Sequence, residues 1–309
     1  MKTFPNFFII GAARSGTTSL EEYLCQHPDI YITTKKESHF FAADHFPPAF
    51  KGPGDDRLNE RVIRDEQTYT QLFTNRQGTK AIGETSVFYL CYPDSAERIA
   101  QVVPDAKIII VLREPVARAY SAYMFLKRDG RETLDFAGAL DREEERKQQD
   151  FEPMWRYKEL GLYYDQVRHY LEVFGSEQVK VLLYEELYAN QGYLLRDVFA
   201  FLGVKEDVVV NTSVRYNLSG VPKWRKLYAP LDKFIFHAGP VSRYIKSLVP
   251  KRLRTAWASK AIGLLTEQVP IDPELQAQLR AYFAEDVRKL ESLLQQDLLP
   301  WQYQKPSLV

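Results

Sequence analysis

Apolar positions along this chain fall into two periods. Residues 7–10 hold an unbroken apolar run, and Lys107–Leu112 holds one behind its opening lysine, both rich in Phe, Ile or Val as strands covered on both faces are. Further strand candidates, less uniformly apolar, occupy 29–33, 80–85 and 178–184. Between them apolar residues return every three or four positions. That spacing predicts helices over 17–26, 66–74, 94–103, 115–127, 136–149, 161–174, 190–202 and 272–294. Local chemistry marks several ends. Pro28 stops the first helix, Pro115 opens another at a favoured first-turn position, and Gly203 closes the 190–202 helix. Within 161–174, Leu162, Val167, Tyr170, Leu171 and Phe174 are expected inside, and the charged 136–149 helix is expected to be a solvated face. Residues 47–56, rich in Pro and Gly, read as a loop.

Strands alternating with helices imply an α/β fold with a mostly parallel central sheet and helices on both faces. Ligands of such sheets bind beyond the carboxyl ends of the strands. The chemistry is therefore expected just after Ile10, Thr33, Thr85, Leu112 and Tyr184.

The first of these positions is the most informative. Gly11 and Gly16 frame a turn between the first strand and the first helix, with Arg14 and Ser15 inside it and Thr17, Thr18 and Ser19 following. Backbone N–H groups of such a turn, with the helix N-terminus behind them, suit an anion. The spacing is that of the nucleotide-binding P-loop, G-x-x-x-x-G-K-[ST], but Thr17 stands at the lysine position and the cation has moved to Arg14. A nucleotide hydrolase places an Asp at the end of a strand like Lys107–Leu112 to hold Mg²⁺. Here Arg113 follows it, and a guanidinium suits a phosphate. The fold expected is thus a P-loop-like three-layer arrangement that handles phosphate without the usual lysine. A P-loop nucleotide kinase or hydrolase, and a non-catalytic nucleotide-binding protein, are the alternative readings.

The segment Arg14-Ser15-Gly16-Thr17-Thr18-Ser19-Leu20 resembles the 5′-phosphosulfate loop of sulfotransferases that use 3′-phosphoadenosine 5′-phosphosulfate (PAPS). The run Leu112-Arg113-x-Pro115-x-x-Arg118-x-x-Ser121-x-Tyr123 is similar to the 3′-phosphate-binding segment of the same family, which implies that Arg113 and Ser121 hold that phosphate. Lys36-Glu37-Ser38-His39-Phe40-Phe41 resembles the segment that carries the catalytic base in the Golgi heparan sulfate group. Glu37 matches that base, and His39 is the alternative, since the cytosolic members use a histidine. Arg14 occupies the place of a loop lysine in that group. Arginine keeps its proton, so the resemblance implies charge stabilisation there rather than acid catalysis. Gly83-Glu84-Thr85-Ser86 resembles the family's G-E-K-[ST]-P stretch without its Lys and Pro, and Glu84 and Ser86 are read as pocket-lining or supporting groups. Tyr184-Glu185-Glu186-Leu187 resembles a segment near the adenosine, which makes Tyr184 a candidate. A late loop around 216–223 resembles one that closes over the nucleotide, with Lys223 or Arg225 as a further phosphate contact. The resemblance implies sulfonate transfer from PAPS to an acceptor hydroxyl by in-line displacement, without a metal, releasing 3′-phosphoadenosine 5′-phosphate (PAP). The acceptor is a hydroxyl-bearing small molecule, glycan or lipid.

Composition adds little to that. The 309 residues are 45% hydrophobic and 27% charged, ordinary for a globular protein, and are read as one domain over 1–309. Forty-one basic residues balance forty-one acidic ones, so no global field draws the chain to nucleic acid. The charge is uneven, however. From Arg215 to Lys260 eleven basic residues face one acid, Asp232. Residues 215–262 are read as a basic, mostly helical lobe or lid, and 215–260 as a surface for peripheral membrane contact. Two cysteines, Cys25 and Cys91, make no disulfide framework and are expected as buried thiols. No signal peptide or membrane span is visible, so a cytoplasmic location is expected.

Overall fold

Five strands pair in parallel: β1 Phe7–Gly11, β2 Ile30–Ile32, β3 Ala81–Thr85, β4 Lys107–Leu112 and β5 Val179–Leu183. Their order is β2-β3-β1-β4-β5, which puts β1 at the centre. The structure is a computed structural model and describes residues 3–74, 76, 78–212, 221–222, 266–267, 269–298 and 301. Helices α1 Thr17–Leu24, α2 Asp56–Asn59, α3 Glu66–Gln71, α4 Asp94–Val102, α5 Pro115–Arg128, α6 Phe136–Asp141, α7 Glu143–Gln148, α8 Tyr164–Phe174, α9 Tyr184–Ala189, α10 Gln191–Phe201 and α11 Pro273–Leu294 follow in chain order. Val221–Pro222 and Thr266–Glu267 form a small antiparallel pair.

Two cores explain why the strands do not alternate. Phe8, Ile10, Ile108, Ile110 and Leu112 point into one, against α4, α5, α8 and α11. Phe7, Ile9, Ile109 and Val111 point into the other, against α1, α9 and α10. Both faces of β1 and β4 are therefore dry, and every position along them past Lys107 at the start of β4 lacks a polar side chain. Burial of this kind contributes about 25 cal/mol per Å² of apolar area, which is what holds the three layers together.

The central strand packs tightly at one glycine. Gly83 of β3 stands opposite Phe7 of β1. A Cβ added at Gly83 collides with the Phe7 ring. Gly83→Ala is expected to destabilise the fold by about 1–3 kcal/mol, as overpacked cores do. A thermal melt reads this as a lowered Tm, and an unchanged Tm would mean that the Phe7 ring is free to turn away.

Several expectations are corrected here. The 136–149 helix breaks at Arg142 into α6 and α7. It is also less solvated than its charge implies. Glu143 is buried and accepts from the Lys158 and Glu159 N–H groups at 2.7 and 2.8 Å, and Arg146 Nη1 binds Glu132 Oε2 at 2.6 Å. The 178–184 strand stops at Leu183, and Tyr184 already begins α9. Cys25 is exposed, because α1 ends one residue before it. Cys91 is half-buried, and burial pushes its thiol up to about 12. The basic 215–260 segment lies, apart from Val221 and Pro222, outside the described residues.

Candidate active site

The loop after β1 is built for an anion. Gly16 caps α1 with φ 92°, a left-handed conformation that glycine adopts without strain. A Cβ there would stand 3.0 Å from Tyr184 Cδ2 and 3.1 Å from Leu187 Cδ2, so the loop and α9 close on each other only because the side chain is missing. The Ser15 N–H returns to the Ala12 carbonyl at 3.2 Å, and the Ser19 N–H to the Gly16 carbonyl at 2.9 Å. Among the described residues the N–H groups of Gly16, Thr17 and Thr18 find no acceptor, which leaves three amides at the helix N-terminus for a ligand.

Two guanidiniums flank these amides. Arg14 sits in the left-handed region at φ 71°. Its Nε reaches Ser121 Oγ at 3.4 Å, and its guanidinium lies 4.7 Å from the centre of the Phe125 ring. Arg113, 4% exposed at the end of β4, donates from Nη1 to the Arg14 carbonyl at 3.4 Å and lies 4.4 Å over the Tyr184 ring. Neither arginine has a carboxylate within ion-pair distance among the described residues. Burial, then the like charges of Arg128 and Arg113, push Arg14 down to about 9. It stays cationic at neutral pH, held against its neighbours. A bound anion reverses the electrostatic part of that cost.

The structure therefore brings Arg14, Gly16, Thr17, Thr18, Arg113, Ser121 and Tyr184 together. Ser15 is fully buried beneath the loop. Ser19, expected among the loop donors, has its hydroxyl 2.8 Å from Tyr188 OH and its N–H paired with the Gly16 carbonyl, which joins α1 to α9. Arg118 is fully buried and donates to the Tyr157 carbonyl, away from solvent. Lys223 and Arg225 lie outside the described residues. Phe125 and Arg128 were not singled out in the sequence. Their signal is helical spacing, since Ser121, Phe125 and Arg128 share one face of α5.

The expected base stands at the neighbouring strand end. The Glu37 N–H donates to the Thr85 carbonyl at 2.9 Å, and Glu37 Oε2 accepts from the Val87 N–H at 3.0 Å. The turn after β3 is tied in the same way to β1, through Ser86 N–H to the Ile9 carbonyl at 3.1 Å and Leu90 N–H to the Ile10 carbonyl at 3.0 Å. Lys36 reaches α1, with Nζ 2.9 Å from Glu21 Oε1 and 3.4 Å from Glu22 Oε1. The Glu37 side chain keeps 21% of its surface exposed.

His39 is different. It is fully buried, stacked on Phe88 at 5.0 Å and edged by Phe46 and Tyr89. Its Nε2 lies 3.1 Å from Glu37 Oε2. Of the two candidate bases, Glu37 is thus the more exposed and His39 the enclosed one beside it. Glu84 does not line a pocket either. It is fully buried under four hydroxyl groups.

Comparison with known proteins bears on the whole arrangement. The model of the Sulfotransferase family matches residues 5–207, which include β1 through β5, the loop, Glu37 and Arg113. A crystal structure of a sulfotransferase from Alicyclobacillus acidocaldarius is 44% identical and covers 97% of this chain and 100% of that one, with a TM-score of 0.78. Membrane-associated sulfotransferase kil1 of Dictyostelium discoideum is 33% identical over 137 residues, 43% of this chain and 26% of that protein. Human heparan sulfate glucosamine 3-O-sulfotransferase 6 is 27% identical over 231 residues, 73% of this chain and 60% of that protein. The chain thus spans less than two thirds of the length of these two curated relatives. Its loop, arginines and carboxylate fall within the matched span, and the chain belongs to the sulfotransferase family.

Proposed function

We propose that this protein transfers a sulfonate group from PAPS to an acceptor hydroxyl and releases PAP. The observation that carries this reading is the pair Arg14 and Arg113, neither with a carboxylate partner among the described residues, around three amides that find no acceptor among those residues. The donor set fits PAPS, which bears an anionic group at each end of its ribose phosphates. The Gly16–Thr18 amides, with Arg14, would hold the 5′-phosphosulfate. Arg113 and Ser121 would hold the 3′-phosphate, and the Tyr184 ring forms the adjoining wall. PAPS supplies the sulfonate. Glu37 takes the proton from the acceptor hydroxyl, whose oxygen bonds to sulfur as the bond from sulfur to the 5′-phosphate oxygen breaks. Arg14 and the amides stabilise the charge that gathers on that oxygen, as preorganised donors do. Because Arg113 ends β4 where a metal-binding acid would stand, the charge balance is supplied by cationic side chains.

The names of several relatives specify sugar acceptors, so hydroxyl-bearing glycans are the first acceptor class to assay, followed by small alcohols and lipids. Transfer of radiolabelled sulfonate from PAPS to pooled acceptors tests the activity. Equilibrium binding of PAP against ATP tests the nucleotide, and a preference for ATP would overturn the reading. Arg113→Ala is expected to weaken PAP binding by about 10–100-fold, the effect of about 1.5–3 kcal/mol from a charged hydrogen bond. Its kcat at saturating PAPS should stay within about threefold of the parent. Calorimetry with PAP separates this from a loss of folding, and unchanged affinity would remove Arg113 from the phosphate site.

A further inference from the structure

Behind the candidate base lies a buried carboxylate that the transfer chemistry does not use. Glu84, in β3, has no solvent exposure. Four hydroxyl groups converge on it. Ser38 Oγ, Ser86 Oγ at 2.7 Å and Tyr89 OH at 3.0 Å donate to Oε1, and Tyr69 OH donates to Oε2 at 2.6 Å. Burial pushes the Glu84 carboxyl up, and the four hydroxyls oppose that shift. Burial also pushes the Tyr69 and Tyr89 phenols up, with the Glu84 charge next, so both keep the protons they donate.

Two of these hydroxyls also accept from the segment that carries Glu37. Ser86 Oγ accepts the His39 N–H at 3.0 Å, and Tyr89 OH accepts the Phe41 N–H at 3.3 Å. The segment they hold is strained, since Glu37 and His39 both lie in the left-handed region, at φ 59° and 48°. Non-glycine residues persist there only where their surroundings over-determine them. An ionised carboxylate accepts only, so all four hydroxyls must donate to it, which frees their lone pairs for the backbone N–H groups of the base segment.

We propose that Glu84 is a positioning residue for the transfer: through Ser86 and Tyr89 it fixes the strained backbone from Glu37 to Phe41 and so aims the Glu37 carboxylate. This rests on Glu37 being the base. A glutamine at 84 keeps the shape but presents an NH₂ donor to hydroxyls that themselves donate. The network then loses its single direction, and Glu37 its placement.

The test compares Glu84→Gln, Glu37→Gln and the double variant, reading kcat, the KM for PAPS and the Kd for PAP. Glu84→Gln is expected to lower kcat by about tenfold or more, as small misplacements of a reacting group do, with KM and Kd within about twofold of the parent. In the Glu37→Gln background the same change should alter the residual rate by less than about twofold, because there is no base left to aim. Ser86→Ala, a gentler change, should lower kcat in the same direction with Kd unchanged, and it decides the matter if Glu84→Gln does not fold. If Glu37→Gln leaves kcat intact, the base assignment fails and this inference with it. If Glu37→Gln is impaired but Glu84→Gln is not, or is impaired by the same factor in both backgrounds, only the role of Glu84 is overturned. A Ser86→Ala variant with the parent kcat counts against it in the same way.

Discussion

Glu37→Gln is expected to reduce kcat by a factor of about 10²–10⁴, the usual contribution of a positioned general base. Glutamine keeps the size of the side chain and its acceptor oxygen, so the Val87 N–H that now donates to Glu37 Oε2 at 3.0 Å retains a partner. What disappears is the ability to take a proton. The KM for PAPS and the affinity for PAP should change little, because Glu37 is held from the end of β3 and the phosphate loop from the end of β1. Steady-state kinetics with saturating PAPS, beside calorimetry with PAP, measure both quantities. A fall in kcat of less than about tenfold would show that the acceptor is deprotonated by another group. His39 is the nearest other candidate, with its Nε2 3.1 Å from Glu37 Oε2. Its complete burial, against the 21% exposure of the Glu37 side chain, is why the larger effect is expected at Glu37.

Arg14→Ala is expected to lower kcat by about 10²–10³, equivalent to about 2.7–4 kcal/mol, the value of one donor aimed at developing charge. Three features concentrate that effect on Arg14. Its backbone is left-handed at φ 71°, and its Nε reaches Ser121 Oγ at 3.4 Å. The Phe125 ring at 4.7 Å holds the guanidinium without neutralising it. Burial, then repulsion from Arg128 and Arg113, pushes it down to about 9, so it gains when negative charge arrives. Arg14→Lys should recover part of the rate, since a point charge remains, but not all of it, because the flat guanidinium contact with Phe125 is lost. Rapid-quench measurement of the transfer step reads this directly. An Arg14→Ala enzyme with the parent rate would mean that the amides of Gly16, Thr17 and Thr18 suffice for the departing phosphate.

Both predictions draw on residues that were legible before any coordinate was known. Arg14, Glu37, Arg113 and Ser121 each stand just beyond an apolar run or on the helix that follows it, so their place at the strand ends follows from the order of the elements. Gly16 was legible for the same reason, since a strand-to-helix turn around an anion needs an open backbone. Ser19 read as part of the loop because it is adjacent in sequence. Helical geometry carries it half a turn further, to the face that meets Tyr188. The 136–149 stretch read as solvated because its charges are dense. Glu143 is nonetheless buried, capped by two N–H groups from 158 and 159 that no local pattern announces.

The sequence by itself determined the parallel sheet with helices on both faces, the strand ends where ligands collect, and the cations and carboxylate placed there. These are local properties: a period, a turn, a residue one step past a strand. The tertiary structure alone decided that His39 is buried against Phe88 beside Glu37, that Arg118 is enclosed, and that Glu84 gathers hydroxyls from Ser38, Tyr69, Ser86 and Tyr89. Those outcomes depend on groups distant in the chain meeting in a dry interior, as Ser38 and Glu84 do across 46 positions. Burial and hydrogen-bond partnership arise when the layers close on one another, and periodicity along the chain records only which face of each element takes part.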